Sequence, residues 1–247
     1  FLDRTLDDEG RARSVVVVAT ADESPLLRVR ASLVACTVAE HFRAVGANVM
    51  LMIDSMTRIA HAQRQIGLAA GEHPATRGYP PSVFAMIPRI LERAGCVDGE
   101  GSITGIYAVL VEGDDLAEPV ADTARGVLDG HLALSRTLAS RGHHPAIDLR
   151  ESISRVADDV CDPAHVAARQ LLLRLIAAHA EVEELVRIGA YVKGTSAECD
   201  VAIDMKDRID AFLRQTRDDA AAYPGTCRAM LELAEEAARR LRTEGAT

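Results

Sequence analysis

The chain has 247 residues, of which 48% are hydrophobic, so it can form a packed core in one large domain or two small ones. Its formal charge of −9 argues against a broad surface for nucleic acid or acidic lipid. No apolar stretch is long enough to predict a membrane span, and the N-terminus has no signal-peptide pattern.

The first part of the chain alternates predicted strands and helices. A β-branched run predicts a strand over 15–20, and apolar residues at helical spacing predict a helix over 25–45. Strands alternating with helices predict an α/β fold with a mostly parallel sheet that is covered on both faces. The elements that follow are predicted as a strand at 48–54, helices at 57–69 and 82–94, and strands at 102–111 and 130–134.

The last part of the chain is predicted to be entirely helical. Asp162 and Pro163 are typical of an N-cap followed by a proline at the first helical position, and apolar residues from Ala168 to Val186 then share one helical face. Further amphipathic segments lie at 200–214 and 226–241. We therefore predict a boundary near residue 160, with an α/β domain over 1–160 and a helical domain over 161–247.

An apolar run that ends in an acid, Asn48 to Asp54, is the most informative segment. It predicts a central strand that places a carboxylate at the sheet edge. Functional residues of such sheets gather at the carboxyl ends of the strands, and Thr20 and the 112–115 loop are predicted to lie at the same edge. The residues alone leave two roles open for Asp54, a magnesium ligand of a nucleotide site or the N-cap of the next helix. No Gly-Lys-Ser/Thr phosphate-binding loop accompanies it, because the two lysines follow Val192 and Met205.

The five cysteines are odd in number and scattered, without a Cys-x-x-Cys pair. This pattern predicts reduced, buried thiols in a cytosolic protein.

The start at Phe1 rather than at methionine is expected of a fragment or a processed chain.

Several motifs occur in the order found in type III secretion ATPases, so the chain resembles the flagellar or virulence protein-export ATPase, a relative of the rotary ATP synthase catalytic subunit. The Arg77–Phe84 run favours this branch over the synthase, and Ile188–Gly194 looks more like flagellar members. The matching segments are Val15–Thr20, Asp54–Arg58, Gln63–Glu72, Arg77–Phe84 (with Thr76 before it), Val111–Asp115 and Ser152–Val156.

The resemblance implies a RecA-like core that hydrolyses ATP with Mg²⁺ in a homohexameric ring, peripheral to the membrane at the cytoplasmic base of the secretion apparatus. Family members release chaperones from export substrates and work with a coiled-coil stalk protein, a regulator and the export gate. The family's phosphate-binding loop and catalytic glutamate lie upstream of Phe1. We therefore expect this fragment to be inactive alone.

The resemblance also assigns roles to particular residues. It makes Asp54 the Walker B magnesium ligand, and Arg58 either lines the same site or pairs with an acid. It places Arg155 at the arginine finger, which reaches into the neighbouring subunit's site, where a guanidinium suits charge spread over phosphoryl oxygens. Composition alone would make Arg155 a surface charge.

Two further groups of residues have both a functional and a structural interpretation. His144 and Phe212 match the adenine pocket, although His144 replaces a tyrosine and gives less stacking area, and Phe212 could equally pack in a core. An exposed aromatic in a stiff turn could line the ring's pore, and an acidic loop could face the rotor; either could also be an ordinary solvated loop. These two loops comprise Tyr79, Pro80 and Pro81, and Glu112, Asp114, Asp115 and Glu118.

Two other functions stay open on the sequence. A non-catalytic ring subunit of an ATP synthase-like complex would lend Arg155 to a partner without hydrolysing ATP. A RecA-like nucleic-acid motor shares the Asp-Ser-x-Thr-Arg strand end but is disfavoured by the acidic charge and by the Tyr-Pro-Pro run, so we expect no nucleic-acid partner.

Overall fold

The computed structural model describes residues 5–244 and contains two compact units, which divide after Leu128. This division falls before the predicted domain boundary near residue 160, which stays a prediction about the domains. The helices and strands of the first unit are α1 (Asp8–Ala12), α2 (Pro25–Ala44), β1 (Asn48–Asp54), α3 (Met56–Ala69), α4 (Pro81–Leu91), β2 (Gly95–Cys96), β3 (Ser102–Ala108) and α5 (Pro119–Val127), with a 3₁₀ turn at Thr76–Gly78.

The sheet of the first unit has the strand order β1-β3-β2. β1 and β3 are parallel, with Asn48 opposite Ser102 and Asp54 opposite Ala108, whereas β2 is antiparallel to β3. The carboxyl ends of the two parallel strands therefore lie side by side, which confirms that Asp54 stands at this edge.

Helices pack on one face of this sheet. Leu51, Ile53 and Ile103 point into a core shared with α2, α3, α4 and α5, while Met50 and Met52 on the opposite face are 65% and 62% exposed. The expectation of a sheet covered on both faces is therefore wrong for the residues that the structure describes. Alternate side chains of a strand point to opposite faces, and the described helices pack only on the face of Leu51 and Ile53.

The predicted strand at 15–20 is also wrong. Residues 14–20 have no regular secondary structure, and Val15 and Val18 are 60% and 71% exposed. Residue types that favour a strand form one only where a neighbouring strand pairs with their backbone, and no described residue does so here. Thr20 consequently does not stand at a strand end.

The second unit consists of a hairpin and a group of helices. The predicted strand at 130–134 exists, but it pairs antiparallel with a second strand, Gly130 opposite Ser154 and Leu134 opposite Ile147, rather than joining a parallel sheet. Its elements are β4 (Gly130–Leu134), α6 (Arg136–Ser140), β5 (Ile147–Ser154), α7 (Ala157–Val160), α8 (Pro163–Arg187), α9 (Ala197–Leu213) and α10 (Tyr223–Glu244).

The long helices α8, α9 and α10 pack around a common apolar core. Leu175, Val201, Met205 and Ala237 are completely buried there. Burial of a large apolar side chain contributes about 1.5 to 3 kcal/mol, so this core stabilises the unit. Asp162 caps α8 by accepting a hydrogen bond from the backbone N–H of His165, which confirms the predicted helix start.

No helix within residues 5–244 combines the length and the hydrophobicity needed to cross a membrane.

Candidate functional site

A cavity of about 240 Å³ opens at the carboxyl end of β1. Four segments form it: the irregular stretch 17–21, the first turns of α2, the end of β1 and the first two turns of α3. The polar side chains that line it are Arg28, Ser32, Asp54, Ser55, Arg58 and His61.

Asp54 projects an exposed carboxylate at this cavity. The N-cap of α3 is Ser55, whose Oγ accepts a hydrogen bond from the Arg58 backbone N–H at 3.4 Å. Asp54 is therefore not the helix cap, which was the structural alternative for this residue. Its carboxylate makes no hydrogen bond or ion pair with any residue between 5 and 244, so its oxygens are available to a ligand.

Two arginines, Arg28 and Arg58, line the same cavity as this carboxylate. Arg58 is exposed on the first turn of α3, and its guanidinium has no ion pair among the described residues. Arg28 donates to the neutral Gln65 side chain, Nη2 to Oε1 at 3.0 Å. Its Nε atom is buried and has no hydrogen-bond partner within residues 5–244. Two guanidinium groups against one carboxylate make the cavity suitable for an anionic ligand such as a phosphate.

The carboxylate fits a magnesium ion that arrives with phosphates. Mg²⁺ is usually held by one or two carboxylates together with water and substrate phosphates, and not by a cage of protein ligands. Among residues 5–244 no three His, Cys, Asp or Glu side chains are grouped as a complete metal site. One unpaired aspartate next to two arginines matches the first arrangement.

Thr57 fixes this turn, and sequence reasoning did not identify it. Its buried hydroxyl accepts a hydrogen bond from the Leu110 N–H at 2.8 Å and donates to the Leu110 carbonyl at 3.1 Å. The residue just beyond β3 is thus fastened to the start of α3. A threonine three residues after the strand end was visible in the sequence, but its partner lies 53 positions away.

The prediction that Tyr79 is exposed is wrong. Tyr79 is 4% exposed, lies parallel to His61 with ring centroids 5.9 Å apart, and carries the Arg64 guanidinium 5.4 Å from its ring centroid. Pro80 is buried as well, whereas Pro81 is exposed at the start of α4. An aromatic ring with an apolar body and two stacking partners is more stable buried than in water.

An ion pair joins the Tyr-Pro-Pro turn to the acidic loop. Arg77 Nη2 lies 2.7 Å from Asp115 Oδ2, and the hydrogen bond from Arg77 holds the pKa of the Asp115 carboxyl below its usual range. Glu112 and Asp114 belong to the same loop, in which Asp114 has a positive φ of 61°. The structure thus brings together two loops that the sequence treated separately.

The remaining predicted site residues lie in the second unit. His144 is exposed, and its carbonyl accepts a hydrogen bond from the Gln215 N–H at 2.8 Å, just beyond the helix that carries Phe212. Phe212 is half-buried against the core of α8, α9 and α10. Arg155 is exposed immediately after β5, and its N–H donates to the Asp129 carbonyl at 2.7 Å. This hydrogen bond joins the backbone of one adenine-pocket candidate to a residue three positions after the other, while Phe212 itself contributes to the core.

Comparison with known proteins defines the class of protein. The model of the ATP synthase alpha/beta family, nucleotide-binding domain, matches residues 1–154, and the model of the T3SS EscN ATPase C-terminal domain matches residues 161–232. The chain belongs to the ATP synthase alpha/beta family, and its RecA-like α/β part is followed by a helical part, as the sequence predicted.

Individual relatives show which members of this family the chain resembles. The chain is 50% identical over 226 residues to the flagellum-specific ATP synthase of Treponema pallidum, with 92% of this chain and 50% of that protein covered. It is 51% identical over 219 residues to the SPI-2 type 3 secretion system ATPase of Salmonella typhimurium, with 89% and 50% covered. These values confirm the resemblance to type III secretion and flagellar ATPases, but they do not separate the two kinds, so the flagellar preference stays a prediction.

A solved structure supports the same assignment. The assembled ATPase EscN in complex with its central stalk EscO, from the type III secretion system of enteropathogenic E. coli, matches with a TM-score of 0.85 and 42% identity. The match covers 93% of this chain and 55% of that chain. Our chain thus spans about half the length of the relatives that it matches.

Proposed function

We propose that the longer protein to which this chain corresponds is the ATP-hydrolysing subunit of a type III protein-export apparatus, in a flagellum rather than a virulence system. The observation that carries this proposal is the Asp54 carboxylate, which has no partner among the described residues and shares a cavity with Arg28 and Arg58. Family membership makes that cavity the magnesium and phosphate side of a nucleotide site, which would be completed by the phosphate-binding loop and catalytic glutamate of the family.

The roles of the charged residues follow from their positions. Asp54 would hold Mg²⁺, which neutralises charge on the β- and γ-phosphates when it is bound. Arg58 would contact phosphate oxygens directly, because a guanidinium offers several donors in one plane. Arg155 would act in the neighbouring subunit's site as an arginine finger and stabilise charge that develops during phosphoryl transfer.

The adenine of the nucleotide would contact His144 and Phe212. The exposed imidazole can stack on a purine, with a smaller area than a tyrosine ring would offer. Since Phe212 also packs against the helical core, its substitution should change stability as well as nucleotide affinity.

The proposed assembly is a homohexameric ring in the cytoplasm, at the membrane-associated base of the apparatus. The complex of EscN with its central stalk supports self-association and a stalk partner. Among the predicted contact loops, the ion-paired acidic loop with Glu112, Asp114 and Asp115 is the candidate for the stalk. A regulator, the export gate and chaperone–substrate complexes complete the proposed set of partners.

Substitution of Asp54 in the full-length protein tests the site. Asp54→Asn keeps the shape of the side chain but removes its charge, so we expect kcat for ATP hydrolysis to fall by roughly 10² or more with little change in the melting temperature. Asp98→Asn, at an exposed acid in the turn before β3, is the matched control and should keep wild-type activity. Wild-type turnover by Asp54→Asn would refute the assignment, and an inactive wild-type protein would favour the non-catalytic ring subunit.

Mixed rings test whether Arg155 acts between subunits. Arg155→Ala should bind nucleotide almost normally but lose roughly 10³ to 10⁵ in kcat, whereas Arg89→Ala, at an exposed arginine of α4, should not. Mixing the Arg155→Ala and Asp54→Asn proteins should restore part of the activity, since some interfaces then pair an intact Asp54 with an intact Arg155. Mixed rings as inactive as their components would show that Arg155 works within its own subunit or is structural.

A further inference from the structure

A cluster of nucleophilic and basic side chains lies in the second unit, where α8 and α10 begin. Cys227 Sγ is 3.7 Å from His165 Nδ1, and the ring of Tyr223 is stacked on that imidazole with centroids 6.4 Å apart. Cys227 and His165 are half-buried, while Tyr223 is 67% exposed. None of these residues belongs to the proposed nucleotide site.

The ring of Tyr223 orients the imidazole by covering one of its faces. His165 lies in the first turn of α8, where its backbone N–H, and not its ring, donates to Asp162 Oδ1 at 2.9 Å. A base that is oriented by a third group, within hydrogen-bond distance of a thiol, is the arrangement that activates cysteine nucleophiles.

The surroundings of Cys227 differ from those of the other four cysteines. All five are free thiols and lie within the described residues. Cys36 is buried, Cys96 is exposed in a two-residue strand, and Cys161 and Cys199 are half-buried, so the sequence-based expectation of buried thiols holds only for Cys36. Cys227 alone faces an imidazole nitrogen, and its interaction with Tyr223 is the main cause of a raised pKa of that phenol.

We propose that Cys227 is a modification site for small disulfides such as oxidised glutathione, with His165 as the base. His165 Nδ1 accepts the Sγ proton, and the thiolate then attacks one sulfur of the disulfide. The new bond joins Cys227 Sγ to that sulfur while the original S–S bond breaks. The departing sulfur keeps the electron pair of the broken S–S bond as a thiolate, and this thiolate then takes a proton from the imidazolium. One disulfide and one thiol thus give one mixed disulfide and one thiol.

Site-resolved kinetics on the 247-residue chain test this assignment. The reduced protein is exposed to oxidised glutathione at neutral pH, the remaining free thiols are alkylated, and mass spectrometry measures how fast each cysteine ceases to be free. His165→Asn retains a polar atom near the position of Nδ1 but is not a base. We expect Cys227 to react about 5-fold or more slowly in this variant, because an unassisted thiol is only a few per cent thiolate at neutral pH. Cys96 in the same molecules should react at an unchanged rate.

A second measurement needs no substitution. In the wild-type chain at neutral pH, Cys227 should react with oxidised glutathione faster than Cys96, although Cys96 is the more exposed thiol, because only Cys227 lies beside an imidazole nitrogen. Equal rates for wild type and His165→Asn at Cys227, or a wild-type rate at Cys227 no higher than that at Cys96, would overturn the proposal. If His165→Asn does not fold, the comparison of the two cysteines in the wild-type chain decides alone.

Discussion

The buried Asp200 carboxylate should be the main support of the loop between α8 and α9. Asp200 is 4% exposed and accepts two hydrogen bonds, from Tyr191 Oη to Oδ1 at 2.9 Å and from the Gly194 N–H to Oδ2 at 2.7 Å. Both donors belong to the segment Ile188–Gly194. Asp200→Ala would leave these donors facing a space without an acceptor.

The size of the effect follows from the two lost bonds. A hydrogen bond to a charged group contributes about 1.5 to 3 kcal/mol, and alanine recovers about 0.5 kcal/mol through its helix propensity. We therefore expect Asp200→Ala to lower the free energy of unfolding of this unit by about 3 kcal/mol, Asp200→Asn by less, and Tyr191→Phe, which loses one of the two bonds, by about 1.5 kcal/mol. Asp207→Ala, on an exposed face of the same helix, is the control and should change little.

Urea denaturation followed by far-ultraviolet circular dichroism measures these differences. With a slope of about 2 kcal/mol per molar urea, the Asp200→Ala midpoint should move by roughly 1.5 M. A shift below about 0.3 M, or a larger loss for Tyr191→Phe than for Asp200→Ala, would refute the reasoning. Burial is the main cause, and the hydrogen bond to Asp200 the second, of a Tyr191 pKa raised to about 12. The contribution of this phenol to the free energy of unfolding should therefore be fully present below pH 10 and be lost as the pH rises towards 12.

Three other predictions concern nucleotide and pH. The 247-residue chain, which has no phosphate-binding loop, should show neither micromolar binding of Mg-ATP by calorimetry nor phosphate release; robust turnover would contradict the need for that loop. Hydrogen bonding to Arg93 lowers the pKa of Glu40, so Glu40→Gln should cost about 1 to 2 kcal/mol at pH 7, and less as the pH falls through 4.5 and below, measured by urea unfolding at several pH values. Burial lowers the pKa of His143 and His179 from 6.5, so the unfolded state binds more protons than the folded state. The second unit should therefore lose stability as the pH falls from 7.5 to 5.5. His143→Gln should reduce this loss, and the same pH dependence in wild type and variant would contradict the prediction.

Local patterns predicted most of the elements correctly. The strand Asn48–Asp54 and the helix after Asp162 were identified at their observed starts, because an uninterrupted apolar run and an N-cap with proline are signals carried by adjacent residues. The strand Ile147–Ser154 was missed. Its residues are half-buried or exposed and include Asp148, Arg150 and Glu151, so no apolar run marks it. Its existence depends on pairing with Gly130–Leu134, which a single segment does not reveal.

The same limit explains the outcome for Tyr79 and for the strand predicted at 15–20. In both cases the residue types were interpreted correctly as aromatic or β-branched, but their partners decided the result. His61 and Arg64 pack against the Tyr79 ring, whereas no strand in the described part of the chain pairs with the valines. Burial and strand formation are properties of pairs of segments, and sequence patterns describe one segment at a time.

The functional role of Asp54 could be predicted from its own segment, whereas the contacts that surround it could not. Asp54 was identified because a carboxylate at the end of a buried strand is costly unless it has a partner. The structure adds that Ser55 caps the helix and that Thr57 fastens the turn to Leu110. The Asp54 carboxylate pairs with no residue between 5 and 244 and shares its cavity with Arg58. The helix cap and the link to β3 are therefore both supplied by residues other than Asp54. What this leaves to Asp54 is a charge directed at the cavity, and this is why substitution of that charge should affect hydrolysis and not folding.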